Sequence, residues 1–500
     1  MKFVGPVIVL GCAFMRPLEV WAVNAWDIGL PLRLLGVGAV LSVLGLVLYW
    51  IGLKVGLEVL PAAIAAGGVV LVLMLWSNLA VHPALWLGIA VGVPWFLLSD
   101  LSPRANRLVV TLSLGLVVVY PLVNLIAEHI TTTEKFAILA LAPRVGATPT
   151  GDAEDLVLIV PDSYPAPVIA SEWFGHDMEP LRTAFEDEGF VWEEAGVSRH
   201  TFTLLTLSSM FELQPVVDDS PTPPWGNLTS LYEIAGGDSY LRHALASAGF
   251  NYIHVESGFD GTKCGDLVDQ CYRAGLLDES TWNLLVPSVF YGYLAERHGS
   301  YSVDGTLRAT EDALDILETV QGNGQNDFVF VHLLLPHPPV VVDESCDVTK
   351  PEGDPVVTGA DSPFTAGYEP QLGCVDIHLT RLAQSVEDTT AVLIAADHGS
   401  GLGGQVSEAP AEWSDSDIAE RFSILLTYRM PEPCPAPVEA TNLDAMRAMV
   451  ACVVDMEMPS PSTGYLIGAL DPKWVDPERM EGILEQMQSG SPPLPDNVPS

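Results

Sequence analysis

The chain has 500 residues, enough for more than one domain, and carries 63 Asp or Glu against 22 Lys or Arg, a formal net charge of −41. So negative a chain repels a phosphate backbone rather than collecting one, which excludes nucleic acid as an expected partner. The charge is unevenly placed: residues 1–130 hold six basic and five acidic residues, and residues 131–500 hold the other 16 and 58. The first part suits lipid and the second suits water.

Five apolar stretches within residues 1–130 approach the roughly 20 residues that cross a hydrocarbon core as a helix. They run from Phe3 to Val23, Gly29 to Leu53, Leu57 to Trp76, Pro83 to Leu98 and Leu108 to Ile126, the first interrupted by Arg16 and Glu19. Short loops rich in Lys and Arg stay cytoplasmic. Lys2, Lys54 and the pair Arg104 and Arg107 then share one side, with Arg33 as an exception, and the chain after Ile126 emerges on the other. A cleavable signal peptide, with Lys2 as its n-region and Ala22 to Ala25 as its cleavage site, is the competing account of the first stretch, and the four stretches that follow weigh against it. The expectation is a multi-pass cell-membrane protein with an extracytoplasmic domain.

Cysteine usage agrees with that topology. Cys12 lies in the membrane part; Cys264, Cys271, Cys346, Cys374, Cys434 and Cys452 all lie in the soluble part, without the CxxC spacing of a structural zinc site. An even number without that spacing predicts disulfides in an oxidising compartment. Connectivity stays open, with pairing of chain neighbours as the starting expectation.

After a linker at 131–151, β-branched apolar runs alternate with segments of helical period through 152–470, the pattern of a sheet covered by helices. Strands are expected at Leu156–Val160, Tyr252–Val255, Phe328–Leu335, Val392–Ala396 and Phe422–Tyr428. Helices are expected at Met178–Glu188, Ser239–Ala248, Gly305–Val320 and Val375–Ser385. Residues 471–500 read as a C-terminal helix and a disordered tail. Parallel strands of such folds present ligands at their carboxyl ends, so the chemistry is sought there.

Asp162 follows the first soluble strand at once, where a carboxylate suits a divalent cation or caps a helix. Asp397, His398 and Gly399 follow the strand ending at Ala396, placing a carboxylate and an imidazole side by side with a glycine that permits a tight turn. The segment from Ser198 to Phe211 is rich in hydroxyls, and a Thr hydroxyl becomes a nucleophile when a dication lowers its pKa. Without such a partner it reads as a helix start. His337 lies between Pro336 and Pro338, which restrict its geometry and suit it to a substrate oxyanion or a leaving group. His332 lies inside a strand, where a satisfied core histidine competes with a substrate contact.

Taken in order, the acid after the first strand, the hydroxyl segment, the His-Pro segment and Asp397-His398-Gly399 resemble the sulfatase-like branch of the alkaline phosphatase superfamily. That branch includes sulfatases, lipoteichoic acid synthases and lipid A phosphoethanolamine transferases. The likeness covers about residues 152–430 and extends to Glu188-Gly189-Phe190, to the pattern Thr203, Thr206, Ser209, and to Arg421-Phe422-Ser423.

The resemblance implies an α/β fold: a multi-span helical membrane domain followed by an alkaline phosphatase-like α/β sandwich on a central, mostly parallel sheet. It implies Asp162, Thr203, Asp397 and His398 as ligands of one divalent metal, zinc or manganese, with calcium and magnesium open. Thr203, with Thr201 as second choice, would be the nucleophile, and His337 and His332 would contact substrate. The Cys/Ser-x-Pro/Ala-x-Arg motif of formylglycine sulfatases is missing from the nucleophile segment, which turns the expectation to phosphoryl chemistry on a lipid-linked or envelope phosphate ester. Sulfuric ester hydrolysis and a catalytically silent membrane scaffold are the alternatives.

Overall fold

A computed structural model describes residues 4–23, 32–74, 148–149, 155–217, 229–273, 278–285, 288, 301–320, 323–338, 342–347, 367–402, 410–456, 458, 464–467 and 473–493. The chain divides into two units, one of Met1–Glu134 with Leu276–Arg297, the other of Lys135–Gly275 with His298–Ser500.

The first unit packs three apolar helices together, α1 (Val4–Val23), α2 (Leu32–Lys54) and α3 (Val59–Met74). Small residues let them approach: a Cβ on Gly67 of α3 would stand 2.7 Å from Cys12 Sγ of α1. Among the described residues one segment, Leu34–Lys54, is long and apolar enough to cross a membrane, while Gly5–Leu18 and Val59–Met74 are shorter apolar helices. The stretches expected at 83–98 and 108–126 lie outside the described residues. A short helix from the other half of the sequence, Glu279–Leu285, joins this unit, with Leu284 buried among Ala13, Leu34, Leu41 and Met74.

The second unit is built on a seven-stranded sheet of β1 (Leu156–Pro161), β2 (Val191–Glu193), β3 (Phe250–Val255), β4 (Gln270–Tyr272), β5 (Asn326–Leu333), β6 (Ala391–Ala395) and β7 (Leu426–Arg429), in the order β2-β7-β6-β1-β5-β3-β4. The strands from β6 to β4 run parallel, β7 runs against them at one edge, and β2 pairs antiparallel with β7, so the sheet is mixed. Every residue of β1 and β6 is buried, as apolar runs without alternation require when both faces are covered. Pairing sets Val160 opposite His332 and Ile159 opposite Ile394, so β1, β5 and β6 end at one edge.

The run expected as a single strand, Phe422–Tyr428, is divided. Phe422 ends helix α6 (Asp415–Phe422) and the strand begins only at Leu426. A capping box between Ser414 and Asp417 starts that helix and draws Phe422, the first residue of the run, into its last turn. All three disulfides join chain neighbours: Cys264–Cys271, Cys346–Cys374 and Cys434–Cys452. Cys12 is free and buried.

Candidate metal centre and active site

Two loops and one helix start meet at the carboxyl edge of the sheet. Asp162 leaves β1, Asp397 and His398 leave β6, and Thr203 opens helix α4 (Thr203–Glu212); all four side chains are buried. Thr203 Oγ1 lies 3.2 Å from His398 Nε2. The same nitrogen is 3.2 Å from Asp397 Oδ2 and 3.8 Å from Asp162 Oδ1. Thr201, the second-choice nucleophile, instead offers its carbonyl oxygen to Arg421 Nε at 3.1 Å.

The backbone holds this arrangement firmly. Ser163, in the turn after Asp162, has φ 66°, a left-handed conformation that costs a non-glycine residue about 1 kcal/mol or more. That turn aims the Ser163 N–H at Asp397 Oδ1 (3.1 Å), while Ser163 Oγ donates to Asp162 Oδ1 (3.0 Å). Helix α5 (Tyr368–Gln384) fixes the turn from behind. Tyr368 Oη donates to the Ser163 carbonyl at 2.7 Å and Tyr164 Oη to Asp376 Oδ1 at 2.5 Å.

Gly399 is needed for proximity rather than for a left-handed turn: its φ is not positive, and a Cβ there would collide with the carbonyls of Glu420 and Ser423. Glu420, itself buried, accepts from Ser400 Oγ and from the Leu402 N–H, closing the loop that carries His398. Asn442 Nδ2 reaches both the Ala396 carbonyl and Ser198 Oγ, joining that loop to the nucleophile segment.

The donor set fits a cation. His398 Nδ1 faces the Gly399 carbonyl at 3.0 Å, an atom that only accepts, so Nδ1 carries the hydrogen and Nε2 the lone pair. Burial, then the Arg421 charge and His337, hold this imidazole well below its ordinary range and so neutral. Nε2 and Asp397 Oδ2 are therefore two acceptors in contact, and Asp397 Oδ2 is buried without a hydrogen-bond partner. Tetrahedral zinc ligands at about 2.0–2.2 Å from the ion stand about 3.3 Å apart, close to the spacing of Thr203 Oγ1, His398 Nε2 and Asp397 Oδ2. Asp162, Asp397 and His398 form one of three groupings of potential ligands among the described residues, and the other two each contain a disulfide whose sulfurs are already bonded.

The two remaining histidines lie at different depths. His337 packs its ring 6.5 Å from that of His398, is partly open to solvent, and has its backbone carbonyl and that of Pro336 bound by Gln371 Nε2. Burial and the nearby Arg421 charge lower its pKa. His332 is wholly buried: its Nδ1 meets Ser257 Oγ (3.0 Å) and Thr262 Oγ1 (3.2 Å), and its Nε2, which has no hydrogen-bond partner, faces Asp162 Oδ2 at 3.7 Å. Burial pushes it down to about 4, so it stands as a neutral prop behind Asp162. Sequence reasoning gave no role to Arg421, whose guanidinium is buried in the site with Nη2 3.0 Å from His398 Nε2. The available signal was a lone Arg at the head of an apolar run.

No protein-family model matches the chain, and no curated protein does. Among solved structures, it is similar to the integral membrane lipooligosaccharide phosphoethanolamine transferase A of Neisseria meningitidis, at 14% identity over 86% of this chain and 88% of that one, TM-score 0.38. It is also similar to the C-terminal periplasmic domain of EcEptC from Escherichia coli in complex with Zn, at 12% identity over 72% and 99%, TM-score 0.43. A third is a 2-O GAG sulfatase, at 9% identity over 62% and 73%, TM-score 0.37. These structural neighbours are phosphoethanolamine transferases and a sulfatase, all of the alkaline phosphatase-like sulfatase superfamily.

Proposed function

We propose that this chain is a membrane-anchored, extracytoplasmic, metal-dependent enzyme of the sulfatase-like kind that transfers or hydrolyses a phosphoryl-linked head group through Thr203. The observation that carries the reading is the convergence of Thr203 Oγ1, Asp397 Oδ2 and Asp162 Oδ1 on His398 Nε2. Asp162, Asp397, His398 and Thr203 would hold one divalent ion, zinc or manganese. Such an ion lowers the pKa of a hydroxyl beside it and offsets charge gathering on the attacked phosphoryl group.

The chain's own residues do the rest. Thr203 Oγ1 attacks phosphorus, forming the Oγ1–P bond as the P–O bond to the leaving alcohol breaks, and the hydroxyl proton leaves with that alcohol. An acceptor alcohol or water then takes the phosphoryl group from Thr203. The first N–H groups of α4 have no partner within the helix and no side chain caps its start, so the helix end favours negative charge at Thr203. His337, at the rim, turns Nδ1 to the Pro338 carbonyl, so its free Nε2 would accept a hydrogen bond from the hydroxyl of a substrate or acceptor alcohol. A membrane anchor keeps the site near lipid-linked substrates and raises their effective concentration.

The test is Thr203→Ala in the full chain. It should abolish turnover of phosphodiester and lipid head-group substrates while far-UV circular dichroism stays unchanged, and metal content by elemental analysis should stay close to that of the wild type. Unchanged turnover overturns the assignment, and preference for aryl sulfate over aryl phosphate diesters overturns the phosphoryl chemistry. Wild-type protein that holds no divalent metal would favour a silent scaffold.

A further inference from the structure

The His398 ring has one acceptor, Nε2, because Nδ1 is committed to the Gly399 carbonyl. Arg421 Nη2 approaches that lone pair at 3.0 Å, from the same region that a cation among Asp162, Asp397 and His398 must use. One lone pair cannot serve both. When the cation holds it, Nη2 loses its acceptor and gives way to the cation, while Nε on the Thr201 carbonyl (3.1 Å) and Nη1 on the Gly399 carbonyl (2.9 Å) keep the guanidinium tethered close by. What results is a buried, charged N–H donor beside the Thr203 hydroxyl. Leaving such a donor unmade is costly, and an anionic oxygen is its strongest partner.

Charge points the same way. Asp162, Asp397 and Glu420 all act on Arg421. With three carboxylates and one dication, the site would be negative without this guanidinium, and with it a monoanion enters without net repulsion. Resting on the reading of Asp162, Asp397 and His398 as metal ligands, we propose that Arg421 is an oxyanion-binding residue. In the metal-loaded protein its Nη2 donates to a non-bridging oxygen of a phosphodiester monoanion instead of to His398.

The experiment is calorimetric titration of the full chain in detergent micelles, first with zinc or manganese and then with dimethyl phosphate, an unreactive diester monoanion. Arg421→Met should bind the metal as tightly as the wild type or more so, because a competitor for Nε2 is gone, while dimethyl phosphate binding weakens by about tenfold or more. Arg421→Lys, which keeps the charge and loses the fork, should bind metal normally and dimethyl phosphate with intermediate affinity. Should Arg421→Met fail to fold, Arg421→Lys carries the test alone. Equal dimethyl phosphate affinity in the variants and the wild type overturns the proposal, as does metal affinity lost in step with it, which would make Arg421 a strut for the ligands. Wild-type protein that binds neither metal overturns the ligand reading and this proposal together, an outcome distinct from wild-type metal binding with unchanged dimethyl phosphate affinity.

Discussion

Asp397 Oδ2 stands 3.2 Å from His398 Nε2, and the ring hydrogen that could have bridged them is on the far nitrogen. Two buried acceptors in contact destabilise the folded state until a cation lies between them. Chelation should therefore lower the melting temperature, and zinc or manganese should restore it. At a hundredfold excess over Kd the ion contributes about 2.7 kcal/mol, a shift of about 4 °C for a domain of this size. A melting temperature indifferent to chelator and to both metals would rule out a resident ion here.

Ser163 combines an unfavourable backbone with two useful contacts. Ser163→Gly relieves the left-handed φ but removes the hydroxyl that orients Asp162, so the two effects separate. Stability in urea should stay within about 1 kcal/mol of the wild type. Metal affinity should fall by about tenfold, the usual result of losing a group that positions a ligand. Unchanged affinity by competition with a chromogenic chelator would show that the hydroxyl does not orient Asp162.

Gly399→Ala places a methyl group against the carbonyls of Glu420 and Ser423, which are backbone atoms in packed elements and cannot swing aside. Destabilisation of about 3 kcal/mol is expected, read as a lower urea midpoint at unchanged slope. An alanine variant as stable as the wild type would show that the loop carrying His398 can shift.

His254, on β3, lies between the rings of Tyr252 and Phe330, and burial pushes it down to about 4 from its ordinary 6.5. Below pH 6.5 the unfolded chain binds a proton that the folded chain refuses, so stability falls as pH drops and levels off below about 4. The total loss is roughly 3 kcal/mol for a shift of this size. His254→Phe should make the urea midpoint fall less steeply between pH 6.5 and 4, the remaining slope coming from His332, His337 and His398, which burial lowers in the same direction. A slope as steep as the wild type's would place the acid sensitivity elsewhere.

The central strands were legible because β1, β5 and β6 are buried on both faces and so read as unbroken apolar runs, and the acids that follow β1 and β6 were conspicuous by contrast. The edge strands β2 and β4 are three residues long and leave no such run. Phe422 misled for a different reason: the capping box that claims it lies eight residues upstream, and an apolar run does not record where a helix hands over to a strand. The parts that Arg421 and Ser163 play depend on distances between β6, α4 and α6 and on one backbone torsion, neither of which one-dimensional spacing carries. Helices α1 and α3 fall within the first and third apolar stretches, and α2 overruns the second by one residue, ending at Lys54 rather than Leu53.

Glu279–Leu285 lies between β4 and β5 in sequence yet packs with the N-terminal helices. The polypeptide therefore passes between the two units three times, at 134–135, 275–276 and 297–298, and a single proteolytic cut at the first of these severs α1–α3 from the rest of the chain while Glu279–Leu285 stays joined to the strands of the sheet. A truncated protein beginning at residue 135 would keep Leu284 while losing Ala13, Leu34 and Met74. Its solubility would then depend on detergent, or on removing that excursion and rejoining the chain across the gap.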